Sequence, residues 1–156
     1  MNERDHFFKI IKSGNIDTIE ALLKRHPDLV NIKDSRGFTP LIFASYFDSE
    51  SVVKTLIEFN APVNDTDASG NTALIGVSFK GNEVLADFLI KQGANINAQN
   101  KQGITPLIYA VMYNKPQIVK LLLKHNPDKS IKDNDGKTAL DYANEKGLQD
   151  ILEVLK

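Results

Sequence analysis

SRGFTPLIFASYFDSE (35–50) is followed 33 residues later by ASGNTALIGVSFKGNE (68–83), and after another 33 by KQGITPLIYAVMYNKP (101–116). Gly37, Gly70, Gly103 and Gly136 keep this step, as do Thr39, Thr72, Thr105 and Thr138, and Leu41, Leu74, Leu107 and Leu140. Self-similarity at a fixed period of this size marks a stack of like units. Comparing the copies separates positions that hold from positions that vary.

The constant positions have a physical reading. Asp34, Asp67, Asn100 and Asp133 precede each glycine by three, and such residues start turns by bonding their own backbone. The glycine supplies a backbone angle that residues with a Cβ avoid. Thr follows as a helix N-cap, and Pro40 and Pro106 come next, at a position where a missing N–H costs nothing. Ala44, Ala110 and Ala143 leave room for close helix packing. The spacing predicts that the first helix stops near Asp48, Gly81, Asn114 and Gly147, residue types suited to a left-handed cap.

A second helix is predicted in ESVVKTLIEF, NEVLADFLIKQ and PQIVKLLLKH, whose apolar residues recur at three and four. Asn60, Gly93 and Asn126 end it, and an extended stretch returns to the next turn. Helices this short fall below the ~12–15 residues needed for marginal stability alone. Neighbouring units must therefore bury each other's faces, and stacking follows.

Composition sets wider bounds. The 156 residues suit one domain, with 42% apolar and 25% charged residues, as in an ordinary folded protein. A net charge of −1 and 19 scattered basic residues give no stripe for tracking phosphates, so neither nucleic acid nor membrane is expected as a partner. There is no cysteine, which excludes disulfides and thiolate chemistry. MNERDHFFKIIKSG lacks the continuous apolar run of a signal peptide, so a soluble, cytoplasmic protein is the expectation.

The near-motifs for chemistry in this sequence are all incomplete. Gly136-Lys137-Thr138 has the end of a nucleotide-binding loop, but Ile131 stands where that loop needs its first glycine. Ile131 also occupies the place of an acidic ligand that a calcium loop would need before Asp133-x-Asp135-Gly136. His26 and His125, three units apart, are separated by roughly 25–30 Å if helix layers have ordinary spacing. No catalytic site, metal site or cofactor is expected.

GFTPLIFA, GNTALIGV, GITPLIYA and GKTALDYA, with GANINAQN and APVNDTD at the other end of the unit, resemble the ankyrin repeat over nearly the whole chain. The resemblance implies an all-α solenoid of stacked helix-turn-helix units with β-hairpin-like loops. Its expected division is an N-terminal capping unit at 1–33, full repeats at 34–66, 67–99 and 100–132, and a C-terminal cap at 133–156. Three departures stand out. Ile42, Ile75, Ile108 and Asp141 replace the family's usual histidine, and the first unit lacks the Thr-Pro turn. Gly76-Val77 replaces a larger residue and Ala, which predicts a looser joint.

In ankyrin proteins partners usually meet the concave face and hairpin tips. Carried over residue by residue, the helix positions on that face are Lys12-Ser13, Tyr46-Phe47, Phe79-Lys80, Met112-Tyr113 and Glu145-Lys146, and after the turn glycines Phe38, Asn71, Ile104 and Lys137. Large apolar residues fill these sites in the middle repeats and not in the caps. The expected partner-binding set is Arg36, Phe38, Tyr46, Phe47, Phe79, Lys80, Lys101, Ile104, Met112 and Tyr113. Several such rings aligned on neighbouring helices approach or exceed the apolar patch that a monomer normally exposes. The competing reading has Phe38 and Ile104 folding back over Tyr46 and Tyr113 and burying them. The resemblance implies a non-catalytic, monomeric module that binds a partner protein, with a dedicated inhibitor or regulator of one enzyme or toxin as the alternative.

Overall fold

The computed structural model describes residues 2–156; Met1, at the start of the expected 1–33 unit, lies outside the described residues. Among the described residues ten α-helices follow one another as five antiparallel pairs: α1 (Glu3–Ser13) with α2 (Ile16–Arg25), α3 (Pro40–Tyr46) with α4 (Glu50–Glu58), and α5 (Ala73–Lys80) with α6 (Glu83–Lys91). The series closes with α7 (Pro106–Met112) beside α8 (Pro116–Lys124), and α9 (Ala139–Lys146) beside α10 (Gln149–Leu155). A short 3-10 turn, Pro27–Asn31, leads out of the first pair. No β-strand occurs among the described residues.

The first helix of each pair is the inner one, and the inner helices α3, α5, α7 and α9 begin by the same device, whereas α1 is capped by Asn2. The hydroxyls of Thr39, Thr72, Thr105 and Thr138 accept bonds from the amides of Ile42, Ile75, Ile108 and Asp141, three residues on. Asp141 does more than its isoleucine counterparts. Its carboxylate accepts from the Thr138 amide, completing a reciprocal capping box. The inner helices end in left-handed residues at Asp48, Gly81, Asn114 and Gly147, as their spacing predicts, and Asn60, Gly93 and Asn126 follow the second helices in the same conformation.

The turns are built alike. Oδ1 of Asp34 accepts the amides of Arg36 and Phe38, and the same pair of bonds recurs at Asp67, Asn100 and Asp133. The Asp34 amide donates to Phe38 O at 3.0 Å, which folds the tip as a hairpin without strands. Tips then join one another. The amides of Ala68, Lys101 and Asn134 donate to the carbonyls of Arg36, Ser69 and Gln102. A Cβ on Gly103 would stand 2.8 Å from the Asn134 amide nitrogen, so only glycine lets the neighbouring backbone come that close.

Odd-numbered helices pack in sequence as one layer, α1 on α3, α3 on α5, α5 on α7 and α7 on α9. The second helices form the layer behind, with α2 on α4, α6 on α8 and α8 on α10. Leu41, Leu74, Leu107, Val52, Leu56, Leu85, Leu89, Ile118 and Leu122 lie between the layers and are buried. Each such side chain contributes about 1.5–3 kcal/mol when withdrawn from water. The sum is available only to the stack, because these residues belong to one core cluster that runs through all five helix pairs. Ala44, Ala110 and Ala143 are fully covered where inner helices meet.

Candidate functional site

The face formed by the inner helices and the turn tips carries most of the chain's exposed rings. Tyr46 is 52% exposed, Phe47 45%, Phe79 40% and Tyr113 48%. All four stand at or next to the last turn of an inner helix, with Phe47 and Tyr113 being the C-cap residues themselves. They fall into two clusters. In the first, Phe43 packs against Phe8 and Phe47 at centroid distances of 5.2 and 4.8 Å, and Tyr46 lies 5.7 Å from Phe47. In the second, Phe79 meets Tyr113 edge-on at 4.5 Å and Tyr109 at 6.0 Å. Such ring pairs hold each other in defined orientations, which keeps the surface stiff.

The tip residues divide. Phe38 is half-buried and leans on Tyr46 at 6.2 Å between centroids, yet Tyr46 stays open to solvent. Ile104 is 6% exposed and belongs to the core, so its expected place among surface contacts is corrected. Beside it the Asn100 side chain donates to both Asn71 and Tyr109. Met112 is half-buried against the core and offers little surface. Ile104 is buried and Phe38 partly so, yet Tyr46 and Tyr113, which the fold-back reading would cover, remain exposed.

The cations at the edge are engaged. Arg36 forks onto Asp34, with Nη2 at 2.6 Å from Oδ2, and its guanidinium lies 4.3 Å from the centre of the Phe38 ring. Lys80 reaches across to the preceding unit, donating to Tyr46 O and to Asp48 Oδ2, the latter at 3.0 Å. Burial alone would raise the Asp48 carboxyl, but hydrogen bonds from Asn82 and Lys80 outweigh it and hold the group below its usual range. Lys101 is exposed at its tip, and its side chain makes no hydrogen bond among the described residues.

Between the two ring clusters lies a cavity of about 240 Å³. Gly76 lines it together with Phe38, Tyr46, Phe79, Tyr109 and Asp67. Position 76 corresponds to Phe43, Tyr109 and Tyr142 in the other units. Where they place a ring, this unit places a hydrogen atom. The sequence departure at Gly76-Val77 therefore creates a hollow on the surface, while Val77 remains fully buried behind it. Asp67 and Gly76 lie outside the contact set expected from the sequence. Sequence could have shown them, since laying the four units in register exposes a missing aromatic.

His26 lies 3.9 Å from Glu3, and His125 3.7 Å from Asp87, whose other oxygen is bridged by Lys91 at 2.8 Å. Among the described residues no group of three or more His, Asp or Glu is placed to hold a metal ion. Among them, too, no helix is long and apolar enough to cross a membrane.

The chain belongs to the ankyrin repeat family: the family described as ankyrin repeats in three copies matches residues 7–100 and 75–156. A stretch of 53 residues is 40% identical to the DNA-binding protein RFXANK of Homo sapiens, covering 34% of this chain and 20% of that protein. The match thus spans about a fifth of the relative's length. Ankyrin repeats in general mediate contacts between proteins.

Proposed function

We propose that this chain is a non-catalytic module that binds a partner protein through the inner-helix face and its tips, acting as a monomer in the cytoplasm. Tyr46, Phe47, Phe79 and Tyr113 carry the reading: four large rings, held in place by their neighbours, remain 40–52% exposed on one face. Aromatic residues fixed on a rigid scaffold lose little freedom on binding and are frequent energetic anchors of interfaces. The anchors lie on the repeats at 34–66, 67–99 and 100–132. A DNA-binding role is not carried over from the relative's name. The net charge is −1, and Arg36, Lys80 and Lys137 are paired with Asp34, Asp48 and Glu145.

The test compares wild type with Phe47→Ala/Phe79→Ala/Tyr113→Ala in capture of partners from the native source. The triple variant is expected to keep its helical spectrum and lose its partners. Retention of every partner by a folded triple variant overturns the reading.

A further inference from the structure

The hollow at Gly76 differs from the rest of the surface in having an internal template. In two other units the corresponding residue is a tyrosine whose hydroxyl meets the turn residue nine positions earlier. Tyr142 donates to Asp133 Oδ2, and the Tyr109 oxygen accepts from Asn100 Nδ2 at 3.3 Å. In the unit of Phe43 there is no hydroxyl, and Asp34 Oδ2 is taken by Arg36 through Nε at 3.1 Å and Nη2 at 2.6 Å. Only at Gly76 are both halves missing. Asp67 Oδ1 accepts the amides of Ser69 and Asn71, but no donor among the described residues meets Oδ2. The ring is absent, its oxygen partner is unengaged, and both line the same cavity.

The space suits the missing group. A cavity of about 150 Å³ holds benzene, and this one is about 240 Å³. Phe38 and Tyr46 stand on one side, Phe79 and Tyr109 on the other, so a ring placed between them would join the two aromatic clusters edge and face. Asp67 is half-buried, and an acceptor so placed favours a guest that brings an O–H over one of equal shape that brings none.

We infer that the pocket formed by Gly76, Asp67, Tyr46, Phe79, Phe38 and Tyr109 receives one tyrosine side chain of a partner polypeptide, its phenol donating to Asp67 Oδ2. The inference rests on the groove reading above and names its central contact. The guest supplies in trans what Tyr142 supplies to Asp133 in cis.

The probes are p-cresol, its methyl ether 4-methylanisole, and N-acetyl-L-tyrosine N-methylamide, titrated into the full chain while the backbone amides of Ile75, Gly76 and Val77 are followed by NMR. Saturable shifts centred on Gly76 are expected for p-cresol and for the capped tyrosine. Binding of p-cresol should be about fivefold tighter than that of the ether or better, because a hydrogen bond to a charged acceptor is among the strong ones. Gly76→Tyr fills the hollow from within and should abolish the shifts, with Gly76→Leu as a smaller filler if the tyrosine unfolds the chain. Asp67→Asn, the residue type already tolerated at Asn100, should narrow the preference for the phenol over the ether.

Absence of saturable shifts in wild type, or their persistence in either folded filler variant, overturns the inference. Equal affinity for phenol and ether overturns the Asp67 contact. Binding of p-cresol without the capped tyrosine shows a site for a small free phenol and overturns the polypeptide guest. If p-cresol is silent while the triple-alanine variant still loses its partners, the pocket falls and the groove stands. If p-cresol binds while that variant keeps its partners, the groove reading falls and takes the partner's tyrosine with it.

Discussion

Tyr142 and Asp133 are joined by a hydrogen bond in which the phenol donates to Oδ2 of a carboxylate that is itself 7% exposed. The bond ties the last turn to the last inner helix. Burial by itself would raise the Asp133 carboxyl, but the Tyr142 hydroxyl and the amides of Lys137 and Asp135 outweigh it and hold the group below its ordinary 3.8. A carboxyl depressed in the folded state adds stability above its unfolded value, and that stability is lost as pH falls through the lower folded value. The hydroxyl of Tyr142 is raised, first by its bond to Asp133 and then by burial, so its contribution is complete below 10.0 and fades as pH rises beyond. Tyr142→Phe leaves a buried acceptor unpaired and is expected to cost about 1–3 kcal/mol. Urea denaturation at neutral pH measures the loss, and a series from pH 5 to pH 2 should show a flatter acid decline in the variant, with both pH limits taken as about one unit either side of the carboxylate range.

Gly76→Ala tests the hollow from the stability side. Gly76 lies within α5, and a Cβ there meets nothing within 4 Å. Relieving a mid-helix glycine should stabilise the chain by about 0.5–1 kcal/mol. A destabilised alanine variant in equilibrium denaturation would show that the space is not open.

Gly103→Ala and Gly136→Ala form a matched pair. Their φ values are +78° and +77°, but a Cβ on Gly103 would press on the backbone of Asp133 and Asn134, while one on Gly136 meets nothing within 4 Å. Gly136→Ala should cost about 1–2 kcal/mol for its left-handed backbone, and Gly103→Ala at least about twice that. Equal losses would show that the tips are not in contact.

Asp48 and Lys80 couple adjacent units at an exposed edge. A cycle of Asp48→Asn, Lys80→Met and the double variant should give a coupling of about 0.2–1 kcal/mol, because the pair is solvated. The coupling should shrink in 1 M salt, where the screening length falls to about 3 Å. Asp48→Asn keeps a residue type that tolerates the left-handed backbone at φ 57°, so the helix end is expected to survive. Persistence of the full coupling in high salt would point to packing in place of charge.

Leu74 and Leu140 occupy the same place in their units, yet Leu74 is fully buried and Leu140 is 37% exposed. Leu74→Ala should cost about 2–5 kcal/mol, whereas Leu140→Ala should cost about 1 kcal/mol or less. Thermal melting of both variants decides whether the repeats contribute unequally in this way.

Much of the architecture was legible because its causes are local. A Thr hydroxyl reaches an amide three residues on, an Asp side chain folds back onto its own turn, and a glycine admits a left-handed angle, whatever the rest of the chain does. Exposure at the variable positions was legible only in part. Tyr46, Phe47, Phe79 and Tyr113 are open, but Ile104, identical in register to Phe38, is sunk into the core. Ile104 sits beside the Asn71–Asn100 bond, which joins residues 29 positions apart in two different units. No pattern within one unit carries that information.

From its residues alone this chain declares five short helix pairs in a 33-residue rhythm, since caps, turns and apolar spacing act within a few positions of one another. Only the folded stack decides which rings face water, that Lys80 is held by Asp48, and that Gly76 opens a hollow beside the unengaged oxygen of Asp67. Those properties depend on what the next unit places against each side chain, and a contact between units is a matter of distance in space.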